Sequence, residues 1–115
     1  MARAFDEAEL VERVDNDFDF LAETVQMLAV DGRALMDDVG RATAAGDAPT
    51  LYKSAHALKG MISNFCSATA HACALEVEGM GRGGDLTGAP AAVERLREHL
   101  EALTAELLEF VRART

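Results

Sequence analysis

The sequence predicts an all-α protein: an antiparallel up-down four-helix bundle with a short additional N-terminal helix. Three observations support this fold class. Apolar residues recur at alternating spacings of three and four, which places them on one face of a helix. No segment alternates between apolar and polar residues over the length of a strand. The chain has 115 residues and only two prolines, which suits one small domain of long helices.

The first two helices are separated by a polar break. A short helix is predicted from about Phe5 to Val14, and Asp15–Asp17 then offers N-cap residues for the second helix. The second helix is long, and Gly46 marks its predicted end. Its apolar face comprises Phe18, Leu21, Val25, Leu28, Gly32, Leu35, Val39 and Ala42.

Three further helices follow. The third begins at Asp47–Pro49 and breaks near Cys66–Ser67, and the glycine-rich stretch Gly79–Gly88 ends the fourth. Pro90 opens the last helix. The apolar faces are Leu51, Ala55, Leu58, Ile62 and Phe65, then Ala70, Cys73, Val77 and Met80, then Val93, Leu96, Leu100, Leu103, Leu107 and Phe110. Because the connections are short, neighbouring helices should be antiparallel. We therefore expect one domain over 1–115, with the bundle core at about 17–113.

The composition excludes several classes of function. Twenty acidic residues against 11 basic ones give a formal charge of −9, which disfavours nucleic acid and anionic membrane surfaces as partners. No apolar run is long enough to span a bilayer. Two cysteines are too few for a disulfide framework, so we expect a reduced, cytoplasmic protein. We also expect a monomer.

Three motifs resemble ligand sites but lack residues or neighbouring elements that such sites require. Gly79–Gly84 matches G-x-G-x-x-G, but no strand precedes it, so a flexible turn between helices is predicted. Asp15–Asp19 resembles the start of a calcium loop, yet Phe20 and Gln26 occupy the positions that require Gly and Glu. The set His56, Cys66, His71 and Cys73 has spacings that match no common zinc site. No metal or cofactor site is therefore predicted.

One histidine lies in a setting that suggests chemistry. His56 follows the apolar residue Ala55 by one position, hence about 100° around the helix from the core face. Its neighbours at helical spacings are Tyr52, Lys59, Gly60 and Ser63. Glycine inside a helix costs about 1 kcal/mol relative to alanine, so close approach by another molecule is the expected compensation at Gly60.

The predicted hairpin between the third and fourth helices adds a carboxylate. If the turn lies at Cys66–Ser67, His56 faces the neighbourhood of Val77, and Glu78 comes within reach of the ring. A carboxylate that accepts a hydrogen bond from Nδ1–H would leave Nε2 as the nucleophile. With Lys59 placed to offset the charge of a phosphoryl group, this set suits reversible phosphorylation. The alternative is an ordinary pair of surface side chains, His56 and Lys59.

The segment His56–Gly60, His-Ala-Leu-Lys-Gly, resembles the H-x-L-K-G core of histidine-containing phosphotransfer (HPt) domains. The resemblance extends from about Phe18 to Val111. It includes the helix break at Ala45–Asp47, Leu58 as a buried anchor, and the stretch Arg82–Leu86 after the fourth helix. It implies a four-helix bundle whose histidine accepts a phosphoryl group from a receiver-domain phosphoaspartate or a sensor kinase and passes it to a response regulator.

The resemblance also implies a role for each site residue. His56 would be phosphorylated, Lys59 would steady the phosphoryl group, and Gly60 would give access. Glu78 stands where the family often has Gln or Glu bonded to the histidine. Mg²⁺ would belong to the receiver, and this chain would be a stoichiometric phosphocarrier with no cofactor, ATP site or autokinase activity.

Two positions depart from the family pattern. Cys66 stands where the family usually has Gly, and Met61 where it usually has a small residue, often Ser. Partner docking is predicted at Tyr52, Met61 and Ser63, with the short N-terminal helix. The partners would be a response-regulator receiver domain or a hybrid sensor histidine kinase. Two alternatives stay open: a helical scaffold that binds such partners without phosphotransfer, and a domain from a larger kinase.

Overall fold

A computed structural model describes residues 3–115, and within that range the chain is helical with no β-strand. Met1 and Ala2 of the predicted domain lie outside the described residues. The helices are α1 Glu7–Arg13, α2 Phe18–Met27, α3 Arg33–Ala45, α4 Ala48–Ile62, α5 Ala68–Gly83 and α6 Ala89–Arg112. A π-helical turn at Leu28–Gly32 joins α2 and α3 into one long helix. Four long helices and a short N-terminal one confirm the predicted fold class.

The helix ends follow local capping chemistry. The side chains of Asp17, Asp47 and Ser67 accept backbone N–H groups in the first turns of α2, α4 and α5. At the other end of α3, Gly46 adopts the left-handed conformation with a φ of 68°. These bounds agree with those read from the sequence.

The glycine-rich segment was predicted to be a flexible turn, and this prediction is wrong for most of it. Helix α5 continues through Gly79 and Gly81 to Gly83, and the left-handed residue that ends it is Gly84, with a φ of 83°. The reason is packing. A Cβ on Gly81 would lie 2.6 Å from the backbone nitrogen of Tyr52, so the missing side chain lets α5 approach the backbone of α4.

The buried face of α5 also differs from the predicted one. Cys73 and Met80 are only half-buried, whereas Ala74 and Glu78 are fully buried. Small side chains face α4, because the two backbones lie too close together for larger ones. The consequence is that Glu78 lies inside the α4–α5 interface rather than at its edge.

Helix α1 covers one end of the bundle, where α4 turns into α5. The backbone N–H of Asp6 donates to the carbonyl of Cys66 at 2.9 Å, and Arg13 donates to the carbonyl of Ser63 at 2.8 Å. Phe5 is buried and packs edge-on against Phe110, with ring centroids 5.4 Å apart. Cys66 adopts a left-handed φ of 57°, so the turn keeps a glycine-like conformation without glycine.

Each helix in the described part of the chain is too short or too polar to cross a lipid bilayer.

Candidate functional site

His56 lies on the solvent-facing flank of α4, and its side chain is 59% exposed. Its ring stacks on that of Tyr52, one turn earlier, with centroids 5.8 Å apart and an interplanar angle of 19°. One turn later, Gly60 is exposed, and no atom lies within 4 Å of where its Cβ would be. The imidazole is therefore held on one side and open to an approaching molecule.

Glu78 of α5 is the buried centre of the site, with a side chain 1% exposed. Its Oε2 lies 2.9 Å from Nδ1 of His56 and 3.1 Å from Nη2 of Arg82. Its Oε1 lies 2.6 Å from Nζ of Lys59. One carboxylate thus contacts the imidazole and the Lys59 ammonium of α4 as well as the Arg82 guanidinium of α5.

The charge state of Glu78 follows from these contacts. Burial by itself would raise the pKa of this carboxyl, but the close contacts of Lys59 and His56 with its oxygens, together with the charges of both groups, outweigh burial and hold the pKa below its ordinary value of 4.5. Glu78 is therefore ionised at neutral pH and only accepts hydrogen bonds. Because the carboxylate can only accept, Nδ1 of His56 donates to it, and this contact selects the neutral tautomer whose lone pair lies on Nε2.

The predicted site residues fall into two groups. His56, Lys59, Gly60 and Glu78 are brought together, although Lys59 contacts Glu78 rather than open solvent and its side chain is only 22% exposed. Of the docking candidates, Tyr52 touches His56, as described above. Met61 packs partly against the hydrophobic core, and the Ser63 hydroxyl donates to the carbonyl of Gly60 at 2.6 Å. Neither of these two forms a hydrogen bond with the imidazole.

Arg82 is the residue that the sequence reasoning missed. It was assigned to a stretch after the helix, but it lies within α5, one turn beyond Glu78, and its guanidinium sits over the Tyr52 ring, 5.3 Å from the centroid. The spacing of four residues from Glu78 was the available signal, since such pairs meet on a helix surface. The glycines around Arg82 obscured that signal by indicating a turn.

The remaining metal-ligating and nucleophilic side chains do not form a second site. Within residues 3–115 no cluster of three or more His, Cys, Asp or Glu side chains is arranged to hold a metal ion. Cys66 and Cys73 are free thiols, and burial raises the pKa of each. A raised pKa lowers the thiolate fraction, so neither thiol is an activated nucleophile.

Comparisons with known proteins agree with this geometry. The structure is similar to the crystal structure of histidine-containing phosphotransfer protein B (HptB) from Pseudomonas aeruginosa PAO1. The TM-score is 0.89, with 23% identity over 98% of each chain, a likeness that concerns the fold. No curated protein matches the sequence significantly. The family model described as the Hpt domain matches residues 23–106, which include the whole α4–α5 site. The chain therefore belongs to the Hpt domain family, the histidine phosphotransfer domains of phosphorelays.

Proposed function

We propose that this chain is a stoichiometric phosphocarrier in which His56 accepts a phosphoryl group from the phosphoaspartate of a receiver domain, or from a sensor kinase, and passes it to a response regulator. One observation carries this proposal. Nδ1 of an exposed imidazole lies 2.9 Å from a buried, ionised carboxylate, so the neutral form of the ring has its proton on Nδ1 and its lone pair on Nε2. An imidazole with that lone pair is a nucleophile.

The transfer step balances within the two proteins. Nε2 attacks the phosphorus of the acyl phosphate, a P–N bond forms, and the P–O bond to the receiver aspartate breaks, so that the aspartate leaves as a carboxylate. The ring, still protonated at Nδ1, becomes cationic as the new bond forms. Glu78 lies 2.9 Å from that proton and stabilises the charge. The reverse sequence of steps returns the phosphoryl group to a receiver.

Lys59 supplies the cation for the phosphoryl oxygens. Its ammonium is one helical turn from His56 and is partly exposed. A lysine side chain has four rotatable carbon–carbon bonds, so it can turn from Glu78 toward a group on Nε2. Gly60 leaves room beside the ring for the receiver, and Tyr52, Met61 and Ser63 are the proposed docking residues around it. Mg²⁺ would be held by the receiver, and this chain would need no cofactor.

The decisive experiment is transfer from a phosphorylated receiver to His56. Wild-type protein should gain phosphate that is labile to acid and stable to base, whereas His56→Gln should gain none. His99→Gln is the matched control, because it removes an exposed histidine on α6 and should leave labelling unchanged. Lys59→Ala should slow transfer at least about tenfold, because it removes one charged contact to the phosphoryl group.

Two results would contradict the proposal. Equal labelling of wild type and His56→Gln would place the phosphate elsewhere. A wild-type protein that binds phosphorylated receivers without gaining phosphate would instead fit a helical scaffold.

A further inference from the structure

The site contains one more cation than the proposed chemistry uses. Lys59 and Arg82 both contact Glu78, so the ionised side chains of this cluster sum to a charge of +1 while the imidazole is neutral. We infer that Arg82 is the standing counter-charge of Glu78, and that it thereby frees Lys59 to serve the phosphoryl group. This inference rests on the proposed phosphotransfer function, and it makes Arg82 a positioning residue that acts through Glu78.

Glu78 needs a counter-charge throughout the reaction. Its side chain is 1% exposed, and a buried carboxylate without a cationic partner is strongly unfavourable. Lys59 has to turn to the phosphoryl oxygens while the P–N bond is forming, before the ring has gained its full charge. If Lys59 were the sole cation on Glu78, that movement would leave the carboxylate with only a neutral N–H. Lys59 would then stay on Glu78, where the two charges cancel.

Arg82 is placed to remain on Glu78 during this movement. It contacts Oε2, the oxygen that also accepts from His56, whereas Lys59 contacts Oε1, so the two cations do not compete. The guanidinium also lies over the Tyr52 ring, which adds a cation–π contact. The close backbone contact at Gly81, next in the chain, fixes the position of α5 against Tyr52. Arg82 is therefore held at two points, by Oε2 of Glu78 and by the Tyr52 ring.

The role of Arg82 should depend on the negative charge at position 78. With an amide in that position there is no buried anion, so Lys59 is free without help from Arg82. An arginine that contacted the phosphoryl group or the receiver would be needed whatever residue stood at 78. The two roles can thus be separated by a double-mutant cycle.

The first test measures phosphorylation of His56 by phosphoramidate, a small donor that removes any effect of partner docking. Its P–N bond breaks, ammonia leaves, and the phosphoryl group joins Nε2. Arg82→Gln should be slower than wild type by about tenfold, a typical coupling between contacting charged residues. Arg82→Lys should recover most of the rate. In the Glu78→Gln background, adding Arg82→Gln should change the rate by less than about twofold, since a remaining exposed charge has a small effect.

Two results of this test would overturn the inference: an unchanged rate in Arg82→Gln, or an equal slowing in both backgrounds. The unfolding midpoint and the ¹⁵N signals of the His56 ring should stay as in wild type in Arg82→Gln, because Lys59 holds Glu78 in the resting protein. A shift in both would indicate a purely structural arginine and would also overturn it.

A second measurement separates failure of this inference from failure of the proposed function. It uses ¹⁵N signals of the unphosphorylated His56 ring at neutral pH. In Lys59→Ala, Arg82 still balances Glu78, and the ring signals should match those of wild type. In Lys59→Ala/Arg82→Gln, both cations that contact Glu78 are gone, so the imidazolium fraction of the ring should rise above that of Lys59→Ala. Ring signals equal in these two variants would refute the counter-charge role, even if the protein never exchanged phosphate with any receiver.

Discussion

Helix α6 and the α4–α5 interface pack with side chains of different size and charge. Helix α6 packs with large aliphatic and aromatic side chains that are almost fully buried: Leu96, Leu100, Leu103, Leu107 and Phe110. The α4–α5 interface instead combines small residues with one buried charge. Ala55 and Ala74 are fully buried there, Gly81 touches the backbone of α4, and Glu78 lies between the helices.

This difference means that α6 mainly affects the stability of the fold, whereas the α4–α5 interface mainly affects the geometry of the site. Each large side chain on α6 buries more apolar area than a small residue between α4 and α5, so truncating it should cost more of the free energy of unfolding. Small residues at the α4–α5 interface let the two backbones approach, and that approach brings a carboxylate of α5 within 2.9 Å of an imidazole of α4. We expect substitutions on α6 to change stability more than phosphorylation of His56, and substitutions between α4 and α5 to change the geometry of the site as well.

Substitution of a large buried side chain on α6 should lower stability more than any other change considered below. Leu103→Ala removes a fully buried side chain and should lower the free energy of unfolding by about 2–5 kcal/mol. Urea unfolding followed by circular dichroism measures this loss. The exposed neighbour Glu101→Ala is the control and should stay within about 0.5 kcal/mol of wild type. Folded Leu103→Ala protein should still be phosphorylated on His56 at the wild-type rate. A slower rate in the folded protein would contradict the separation of the two interfaces.

The stability of Gly81→Ala tests how closely the backbones of α4 and α5 approach each other. Gly81→Ala places a methyl group 2.6 Å from the backbone nitrogen of Tyr52, where no side chain can rotate away. Overpacking of this kind should destabilise the fold by about 1–3 kcal/mol. Gly79→Ala is a matched control on the same helix, because nothing lies within 4 Å of its new methyl group. It should stabilise the protein by about 0.5–1 kcal/mol, the usual gain from replacing a helical glycine.

Destabilisation by Gly81→Ala together with stabilisation by Gly79→Ala would show that α5 contacts the backbone of α4 at Gly81 and not at Gly79. Equal stabilisation by both would mean that the two backbones lie further apart than in this structure.

The buried carboxylate predicts a pH dependence of stability. The pKa of Glu78 in the folded protein lies below its ordinary value of 4.5, so the unfolded chain binds more protons at acidic pH. Glu78 therefore contributes its full stabilisation above pH 4.5, and this contribution is lost as the pH falls through the folded-state pKa. Glu78→Gln should unfold more easily at pH 7, by about 1–3 kcal/mol, because charged hydrogen bonds are replaced by neutral ones.

Urea unfolding of wild type and Glu78→Gln from pH 7 to pH 3 measures this contribution. The gap between the two proteins should narrow as the pH falls, because acid protonates Glu78 in wild type and has no such effect on the amide. A gap that is constant or grows toward low pH would contradict the assigned direction of the pKa shift.

The helices were predictable because their signals are local. Asp17, Asp47 and Gly46 cap helix ends through contacts within one turn, and apolar spacing reveals which face is buried. The π-helical turn at Leu28–Gly32 was not predicted, and beyond it Met36 is buried while the predicted core residue Leu35 is only half-buried. The glycine-rich segment was also misassigned. Local preference indicates a turn, but tertiary contact between Gly81 and α4 keeps the segment helical.

The site was predictable only as far as helical spacing reaches. His56, Lys59 and Gly60 share a flank of one helix, and the hairpin geometry places Glu78 near the ring. The burial of Glu78, and the ion pair that turns Lys59 toward it, depend on how closely two backbones approach. Sequence spacing does not contain that distance. Arg82 was missed because its segment was predicted to be a turn and not part of α5.

A small gain in stability is expected at the exposed edge of the site. Gly60 is the counterpart of Gly79: both are exposed helical glycines, and nothing lies within 4 Å of either missing Cβ. Gly60→Ala should therefore stabilise the fold by about 0.5–1 kcal/mol, the same gain as expected for Gly79→Ala. Transfer from a phosphorylated receiver should nevertheless become roughly threefold slower or more in Gly60→Ala, because an added methyl group separates two closely packed surfaces. Gly79→Ala should leave transfer unchanged, and phosphoramidate, which is small, should label all three proteins equally. Equal transfer from the receiver in Gly60→Ala and Gly79→Ala would show that the open surface beside His56 is not where the partner docks.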